Sequence, residues 1–429
     1  MPPPRQPPRA GSTRGEKFGL AVAVKARGDY PRARELLETA LSSATRQFGS
    51  MDPIVLIIEL NLATVDEAQG KHTEALERTR RVFDGMSHVH GPEHPNTTLI
   101  LSNMAGLFAT MGDFGTAKRH FEQVLKIDER DKGPEHPDTL QGRQNLAGLL
   151  YQAGEWANSR AIAEDVLAVR ERVLGPEHPD TLHTRESLAV TCERLSDLEA
   201  ARLHRDRAHE GLQRTLGPQH PKTMIYLHNQ AVLARSLGEL EKARQIEAVA
   251  FAGLSLRLGA DHPWTLTSKH HIAELMREKG ELKTARDMYS EVLSARQRLL
   301  GHRHPDTLNT QRGLAGALLD LGKLARAREV LENVLPLMEE ILPNHPDTMV
   351  TRYNLVSVLR RIDPALAEAH MPKLRALRER NPDDLSPIER DIVKKFAWFE
   401  HSKIEIGFQP SPVDLEARGH RRRPRREKN

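Results

Sequence analysis

Histidine is the residue type in this chain that first raises a question of chemistry. The sequence holds 21 histidines and a single cysteine, and imidazole groups serve both as metal ligands and as acid–base groups. Six histidines precede a proline and follow one another at steps of 42 residues: His94, His136, His178, His220, His262 and His304. Equivalent residues one repeat apart lie at least ~10 Å from each other, whereas zinc ligands lie about 2.0–2.1 Å from the metal. We therefore predict that these histidines cap helices.

The adjacent pair His270-His271 is the other candidate for metal binding. Neighbouring side chains on a helix point about 100° apart, so we expect the pair to be solvated or to face a groove rather than to chelate an ion. The sequence thus predicts no metal site and no cofactor.

Motifs that support catalysis are absent from the sequence. There is no G-x-x-x-x-G-K-[ST], H-E-x-x-H, C-x-x-C or G-x-S-x-G motif, and these are the patterns that place phosphate-binding loops, zinc ligands, redox cysteines and nucleophilic serines. Cys192 shares a repeat position with Phe108, Leu150 and Met276, which predicts a core residue. The chain is predicted not to be an enzyme.

The elements that carry these residues repeat with the same step. A glycine, or once a serine, recurs every 42 residues, and a small residue follows each of them five positions later. The turn positions are Gly28, Gly70, Gly112, Gly154, Ser196, Gly238, Gly280 and Gly322. Proline suits the first turn of a helix, and glycine suits the left-handed turn that ends one. Each unit is therefore predicted to be two antiparallel helices, for example Pro179 to Leu195 and Leu198 to Leu216.

Eight such units fit the sequence, and they define the expected domains. We predict a disordered Pro/Arg-rich tail over 1–15, eight repeats over 16–342, a degenerate repeat with capping helices over 343–402, and a disordered basic tail over 403–429. An apolar segment around Ile388 to Phe399 is expected to help cap the open end, because solenoids need atypical terminal units.

The repeat resembles the tetratricopeptide-repeat family, most closely its 42-residue branch typified by kinesin light chains. The matching residues include Asn145 to Ala147 in the first helix, the Gly154-Glu155-Trp156 turn and the linker Leu174 to Pro179. The resemblance implies an all-α, right-handed superhelical solenoid of antiparallel helix pairs. It also implies a scaffold or adaptor that binds a protein or peptide partner. The long N-terminal coiled coil of kinesin light chains is not found, so the motor-adaptor role is not carried over.

The resemblance further implies that the first helix of each pair lines a concave groove, where an asparagine commonly contacts a bound peptide. An amide side chain can pair with both the N–H and the C=O of an extended segment. A ladder that only braces neighbouring helices is the alternative, and one residue can do both. The asparagines in this column are Asn61, Asn103, Asn145, Asn229 and Asn354.

The second half of the predicted groove carries a different set of side chains. The column departs from asparagine at Ser187, His271 and Gly313, and nearby positions turn basic. Because arginine forks pair with carboxylates, we hypothesise that this half binds an acidic segment. The candidate residues are His228, Arg235, His270, Arg277 and Arg312.

Charge and hydropathy define the rival interpretations. The formal net charge of +4 is concentrated in the tails, and the last twelve residues hold seven Lys or Arg and one Glu. An arginine-rich tail over 421–426 makes nucleic-acid or acidic-surface binding the alternative function, although the slightly acidic body counts against it. A catalytic end domain would have to lie in Asn381 to Asn429, which shows no catalytic constellation. No run approaches the roughly 20 apolar residues of a membrane span, and a cytoplasmic compartment is expected.

Overall fold

The computed structural model describes residues 14–341, 346–380, 390 and 392–396. Within these residues every regular element is a helix. The helices are α1 (Arg14–Ala26), α2 (Tyr30–Phe48), α3 (Pro53–Ala68), α4 (His72–His90), α5 (Pro95–Thr110), α6 (Phe114–Lys132), α7 (Pro137–Gln152), α8 (Trp156–Val173), α9 (Pro179–Arg194), α10 (Leu198–Leu216), α11 (Pro221–Ser236), α12 (Leu240–Leu258), α13 (Pro263–Glu278), α14 (Leu282–Leu300), α15 (Pro305–Asp320), α16 (Leu324–Ile341), α17 (Pro346–Ile362) and α18 (Pro364–Glu379). Odd-numbered helices are the first helix of each pair.

The start of each odd-numbered helix from α5 to α15 confirms the predicted capping role of histidine. The ring Nδ1 of the histidine accepts a hydrogen bond from the backbone N–H two residues later, at 3.1–3.2 Å. In α3 the carboxylate of Asp52 does the same for Ile54 at 2.8 Å. These side chains satisfy one of the four N–H groups that a helix leaves free at its start, and the proline after them lacks the N–H altogether.

The turn inside each pair has the left-handed backbone that the repeated glycine predicts. Gly112 and Gly154 have φ values of +84° and +85°, and the other glycines of this column are similar. Ser196 is the one non-glycine residue with positive φ among the described residues, at +61°. A side chain there is strained, because Cβ crowds the backbone in this region.

The core is thin and built from small and aliphatic side chains. Alanines five residues after the turn, such as Ala75 and Ala201, are completely buried and allow close approach of the paired helices. Cys192 is buried as predicted, in a cluster with Ala201 and Leu233. None of the helices in the described ranges is long and apolar enough to cross a lipid bilayer.

The chain falls into two compact units whose boundary lies inside α15, between Ala317 and Leu318. In the second unit Ile392 and Phe396 belong to one buried cluster with Val356, Met371, Leu374 and Leu377. Residues 388, 389, 391 and 397–399 of the predicted capping segment, and both tails apart from residues 14 and 15, lie outside the described residues.

The first unit contacts itself along a seam between distant repeats. The Nε2 atom of His262, at the start of α13, lies 3.2 Å from the carbonyl oxygen of Ala26, at the end of α1. Tyr30 packs against the buried cluster that contains Leu266 and Val292. The seventh pair of helices, α13 and α14, therefore contacts the first pair, and five pairs lie between them along the chain.

Candidate functional site

A concavity of the first unit lies between the first helices of three consecutive pairs. It has a volume of about 590 Å³ and is lined by α3, α5 and α7, with contributions from α4 and α6. Its volume is within the range of ligand pockets, about 300–1,000 Å³. The lining residues of α3, α5 and α7 include Leu60, Ala63, Thr64, Glu67, Leu99, Ser102, Asn103, Gly106, Gly142 and Asn145.

Small side chains on the lining helices create this cavity. At Gly106 an added Cβ atom would meet no other atom within 4 Å, so the space above that residue is open. Ser102 and Ala63 line the same cavity with little side-chain volume. Leu99 stands in it with 59% of its surface exposed. Much of the apolar surface of this leucine is therefore left free for contact with a ligand.

Carboxylates outnumber cations among the charged groups that line the cavity. Glu67, Asp128 and Asp138 line it together with one ammonium group, that of Lys132. Lys132 Nζ lies 2.8 Å from Asp128 Oδ1 and 2.7 Å from Asp138 Oδ2, so its charge is already shared. Partial burial raises the pKa of Glu67 above its ordinary value, because burial disfavours the charged carboxylate. The cavity is therefore mildly acidic.

The predicted asparagine column divides into groove-facing and bracing members. Asn103 and Asn145 line the cavity. Asn103 is exposed, and Asn145 accepts a hydrogen bond from Gln141 on its own helix at 2.8 Å. By contrast, Asn61 accepts from Lys25 Nζ of the preceding pair at 3.3 Å. Asn61 thus braces neighbouring helices, which is one of the two alternatives that the sequence left open.

Two further members of the column do not line the cavity. The amide of Asn229 donates to Glu186 Oε1 of the preceding pair at 2.9 Å, which makes it a brace between α9 and α11. Asn354 is half-buried on α17 of the second unit. Peptide contact by any of these asparagines stays a prediction.

The basic residues predicted for the second half of the groove are largely engaged within the protein. Arg235 donates to Glu274 Oε2 at 2.6 Å and to Glu278 Oε1 at 2.5 and 2.9 Å. Burial raises the pKa of Glu274, but the neighbouring His270 and Arg235 lower it by more, so this pKa lies below its ordinary value. These ion pairs join α11 to α13, the first helices of consecutive repeats.

The other two arginines of that set also have neighbours inside the first unit. Arg312 donates to Asn309 Oδ1 at 2.5 and 3.2 Å. The guanidinium of Arg277 lies beside Gly316, where an added Cβ would approach its Cζ to 3.0 Å. Binding of an acidic segment here stays a prediction, and any such ligand would compete with contacts that the protein already makes.

The expectation that the histidines of this region are solvated or face the groove is wrong. His228 and His270 are each 7% exposed, and His271 is 4% exposed. His270 packs edge-on against Tyr289 with ring centroids 5.2 Å apart. The helices close over these rings because the rings point between neighbouring helices instead of into solvent.

Two of these histidines converge on one buried carboxylate. His228 Nδ1 lies 2.9 Å from both carboxylate oxygens of Glu247, and His271 Nδ1 lies 2.7 Å from Oε2. Ser268 donates a hydrogen bond to Oε1 of the same group. Burial raises the pKa of Glu247, but the bonds to His228 and His271 outweigh it and hold that pKa below its ordinary value. The sequence offered one signal, the replacement of the column asparagine by His271.

Helix pairs whose lengths repeat along the chain, histidine caps at a fixed step and a groove between the first helices define an α-helical repeat protein. A family model described as "Tetratricopeptide repeat" matches residues 16–88, 54–130, 100–156, 138–204, 264–340 and 306–380. The chain belongs to the tetratricopeptide-repeat family. Repeats of this family form protein-interaction scaffolds.

Several solved structures with similar folds are distant in sequence. The Cut9 and Hcn1 assembly of the APC/C has a TM-score of 0.50 at 12% identity, over 90% of this chain and 67% of that one. BtubC (BKLC) from P. vanneervenii gives 0.42 at 18% identity, over 55% and 92%. A putative kinesin light chain with TPR-like repeats from Podosopora anserina gives 0.28 at 22% identity, over 58% and 99%. A comparison with curated proteins found no match.

Proposed function

We propose that the chain is a non-catalytic scaffold that holds a segment of a partner protein in the cavity between α3, α5 and α7. The observation that carries this proposal is the open space over Gly106, with the exposed side chain of Leu99 beside it. Unused apolar surface in a cavity is the feature that typically marks a binding groove.

The lining chemistry indicates what kind of segment fits. Leu99 and Leu60 offer contact to one apolar anchor residue of the ligand. Asn103, whose amide makes no side-chain hydrogen bond within the described part of the chain, can pair with the backbone of the ligand. Glu67 and the acidic excess of the cavity favour Lys or Arg beside the anchor. The expected ligand is a short segment with an apolar residue flanked by basic ones.

A blocked cavity tests this proposal, and the repeat supplies a matched control. Gly106 and Gly148 occupy the same position in consecutive repeats, and both have open space around an added Cβ. Only Gly106 lines the cavity. Peptides are selected from a displayed library on the full chain. Gly106→Trp is expected to weaken the selected peptides at least about 10-fold, which corresponds to about 1.4 kcal/mol, whereas Gly148→Trp leaves their affinity unchanged. Equal affinity for both variants would place the binding elsewhere.

The sequence also predicts that the region from His228 to Arg312 binds an acidic segment of a partner. A separate experiment tests this prediction. Reversing the charge of Arg235, Arg277 and Arg312 together is expected to abolish capture of acidic peptides, with thermal unfolding as a control because Arg235 also ties α11 to α13.

The alternative of nucleic-acid binding rests on the tail over 421–426, outside the described residues. Deletion of that tail in a salt-dependent binding assay tests it. We keep the cytoplasm as the proposed compartment.

A further inference from the structure

The buried group formed by His228, Glu247 and His271 brings together three metal-binding side chains from three helices. The possible ligand atoms of the three residues all lie within 4.8 Å of one another. His228 comes from α11, Glu247 from α12 and His271 from α13. The two imidazole rings meet edge-on, with centroids 5.4 Å apart and an interplanar angle of 89°. Both rings therefore direct Nδ1 at one carboxylate from different sides.

The preceding repeat shows how the same three positions look when they serve only as a brace. Residues 186, 205 and 229 stand 42 positions before His228, Glu247 and His271. There the carboxylate of Glu186 accepts hydrogen bonds from Arg205 Nε at 3.1 Å and from the Asn229 amide at 2.9 Å. A guanidinium and an amide nitrogen are donors without a lone pair for a metal ion. In the next repeat the two groups around the carboxylate are imidazoles, which have one.

A hydrogen-bonded brace does not account fully for the rings. The Nε2 atom of His271 is buried and has no hydrogen-bond partner within the described residues. A buried ring nitrogen without a partner is costly, and the asparagine that occupies this position in other repeats avoids that cost. The imidazole Nδ1 of a histidine can bind a metal ion, whereas the amide nitrogen of an asparagine at this position cannot.

Two imidazoles and one carboxylate are a ligand set for borderline divalent ions. Zinc sites with three protein ligands use this set and leave the fourth position to water or another ligand. In tetrahedral coordination with bonds of about 2.0–2.1 Å the ligand atoms lie about 3.3 Å apart. The present separations of 2.7–2.9 Å between the nitrogens and the carboxylate need to widen by about half an ångström. The hydrogen bond from Ser268 to Glu247 orients the carboxylate, as outer-shell groups do.

We propose that His228, Glu247 and His271 form a binding site for a zinc-class divalent metal ion, which joins α11, α12 and α13. The ion takes the place of the two Nδ1 protons that face the carboxylate. This site is separate from the cavity between α3, α5 and α7, and neither proposal depends on the other. Its expected effect is to stabilise the contact between the sixth and seventh helix pairs.

The test is metal binding by the full chain after chelator treatment. Zn²⁺ is titrated against a competing chromophoric chelator, and Co²⁺ is added to a second sample to record the visible spectrum of the coordinated ion. His271→Asn places the residue of the preceding repeat, Asn229, in the site and is expected to fold, which circular dichroism checks. His302→Asn removes an exposed histidine and controls for adventitious surface binding.

The proposal predicts one saturable Zn²⁺ per wild-type chain, a tetrahedral Co²⁺ spectrum, and a rise in the melting temperature on addition of Zn²⁺. His271→Asn is expected to weaken Zn²⁺ binding at least about 100-fold, since loss of even an outer-shell partner costs 10–100-fold, and His302→Asn to leave it unchanged. Absence of a saturable site in the wild type would overturn the proposal. Equal Zn²⁺ affinity of wild type and His271→Asn would also overturn it.

Discussion

The seam of the first unit provides a prediction whose size follows from the structure. Gly28 has φ +80°, and a Cβ atom added to it would lie 2.3 Å from Cδ and 2.9 Å from Cγ of Pro263. Carbon atoms in ordinary contact are about 3.5–4.0 Å apart, so Gly28→Ala requires a displacement of more than about 1 Å. Pro263 is the first residue of α13, and its ring cannot rotate away. The backbone of the two turns must separate instead.

A second glycine isolates this effect from backbone strain. Gly112 has nearly the same φ, +84°, and an added Cβ there meets nothing within 4 Å. Alanine in the left-handed region costs about 1–2 kcal/mol at either position. Only Gly28→Ala adds overpacking, for which about 1–3 kcal/mol is typical. The difference between the two variants therefore measures the seam alone.

Hydrogen–deuterium exchange read by mass spectrometry is the assay. In Gly28→Ala we expect faster exchange in residues 26–31 and in 258–266, because the bond between His262 and Ala26 and the packing of Tyr30 are lost together. In Gly112→Ala the exchange of both segments is expected to match the wild type. If both variants leave the seam segments equally protected, the contact between the first and seventh pairs does not form in solution, and the reasoning is refuted.

Three further substitutions test the local physics of the repeat by their effect on the free energy of unfolding. Gly211→Ala places a Cβ 2.5 Å from a methyl group of the buried Leu182. Overpacking should destabilise the fold by about 1–3 kcal/mol, which outweighs the gain in helix propensity of at most about 1 kcal/mol. A variant more stable than the wild type would contradict this close packing. Ser196→Gly relieves the left-handed strain at φ +61° and is expected to stabilise by about 0.5–1 kcal/mol; a lower urea midpoint would speak against strain. His178→Ala removes a cap and should cost about 1 kcal/mol, whereas His178→Asp, which copies Asp52, should not, and equal loss in both would argue against the cap.

The helices were predictable because local rules act at every repeat. Prolines and caps mark the starts, and left-handed glycines mark the turns. The predicted helix Leu198 to Leu216 agrees with α10, and the predicted Pro179 to Leu195 agrees with α9 within one residue. The candidate site was predicted only in part. Asn103 and Asn145 lie in the column that the sequence assigns to the groove, and both line the cavity. The position of the cavity along the groove depends on which neighbouring helices carry small residues on the same face.

The seam and the buried histidine group were beyond sequence reasoning for a geometric reason. The contact between His262 and Ala26 spans more than five repeats, so it depends on a small rotation per repeat that accumulates along the first unit. The group around Glu247 joins non-equivalent positions 19 and 24 residues away. The distance between equivalent histidines, which are one repeat apart, argues against metal binding at the helix caps. It says nothing of histidines at non-equivalent positions, such as His228 and His271.

Mapping a selected peptide onto the protein tests the proposed groove most directly. Hydrogen–deuterium exchange is measured on the full chain with and without a peptide selected from the displayed library. The proposal predicts slower exchange in α3, α5 and α7, and no such slowing when Gly106→Trp replaces the wild type. Protection that is confined to even-numbered helices, or to α11 and α13, would contradict a groove centred on Gly106 and Leu99.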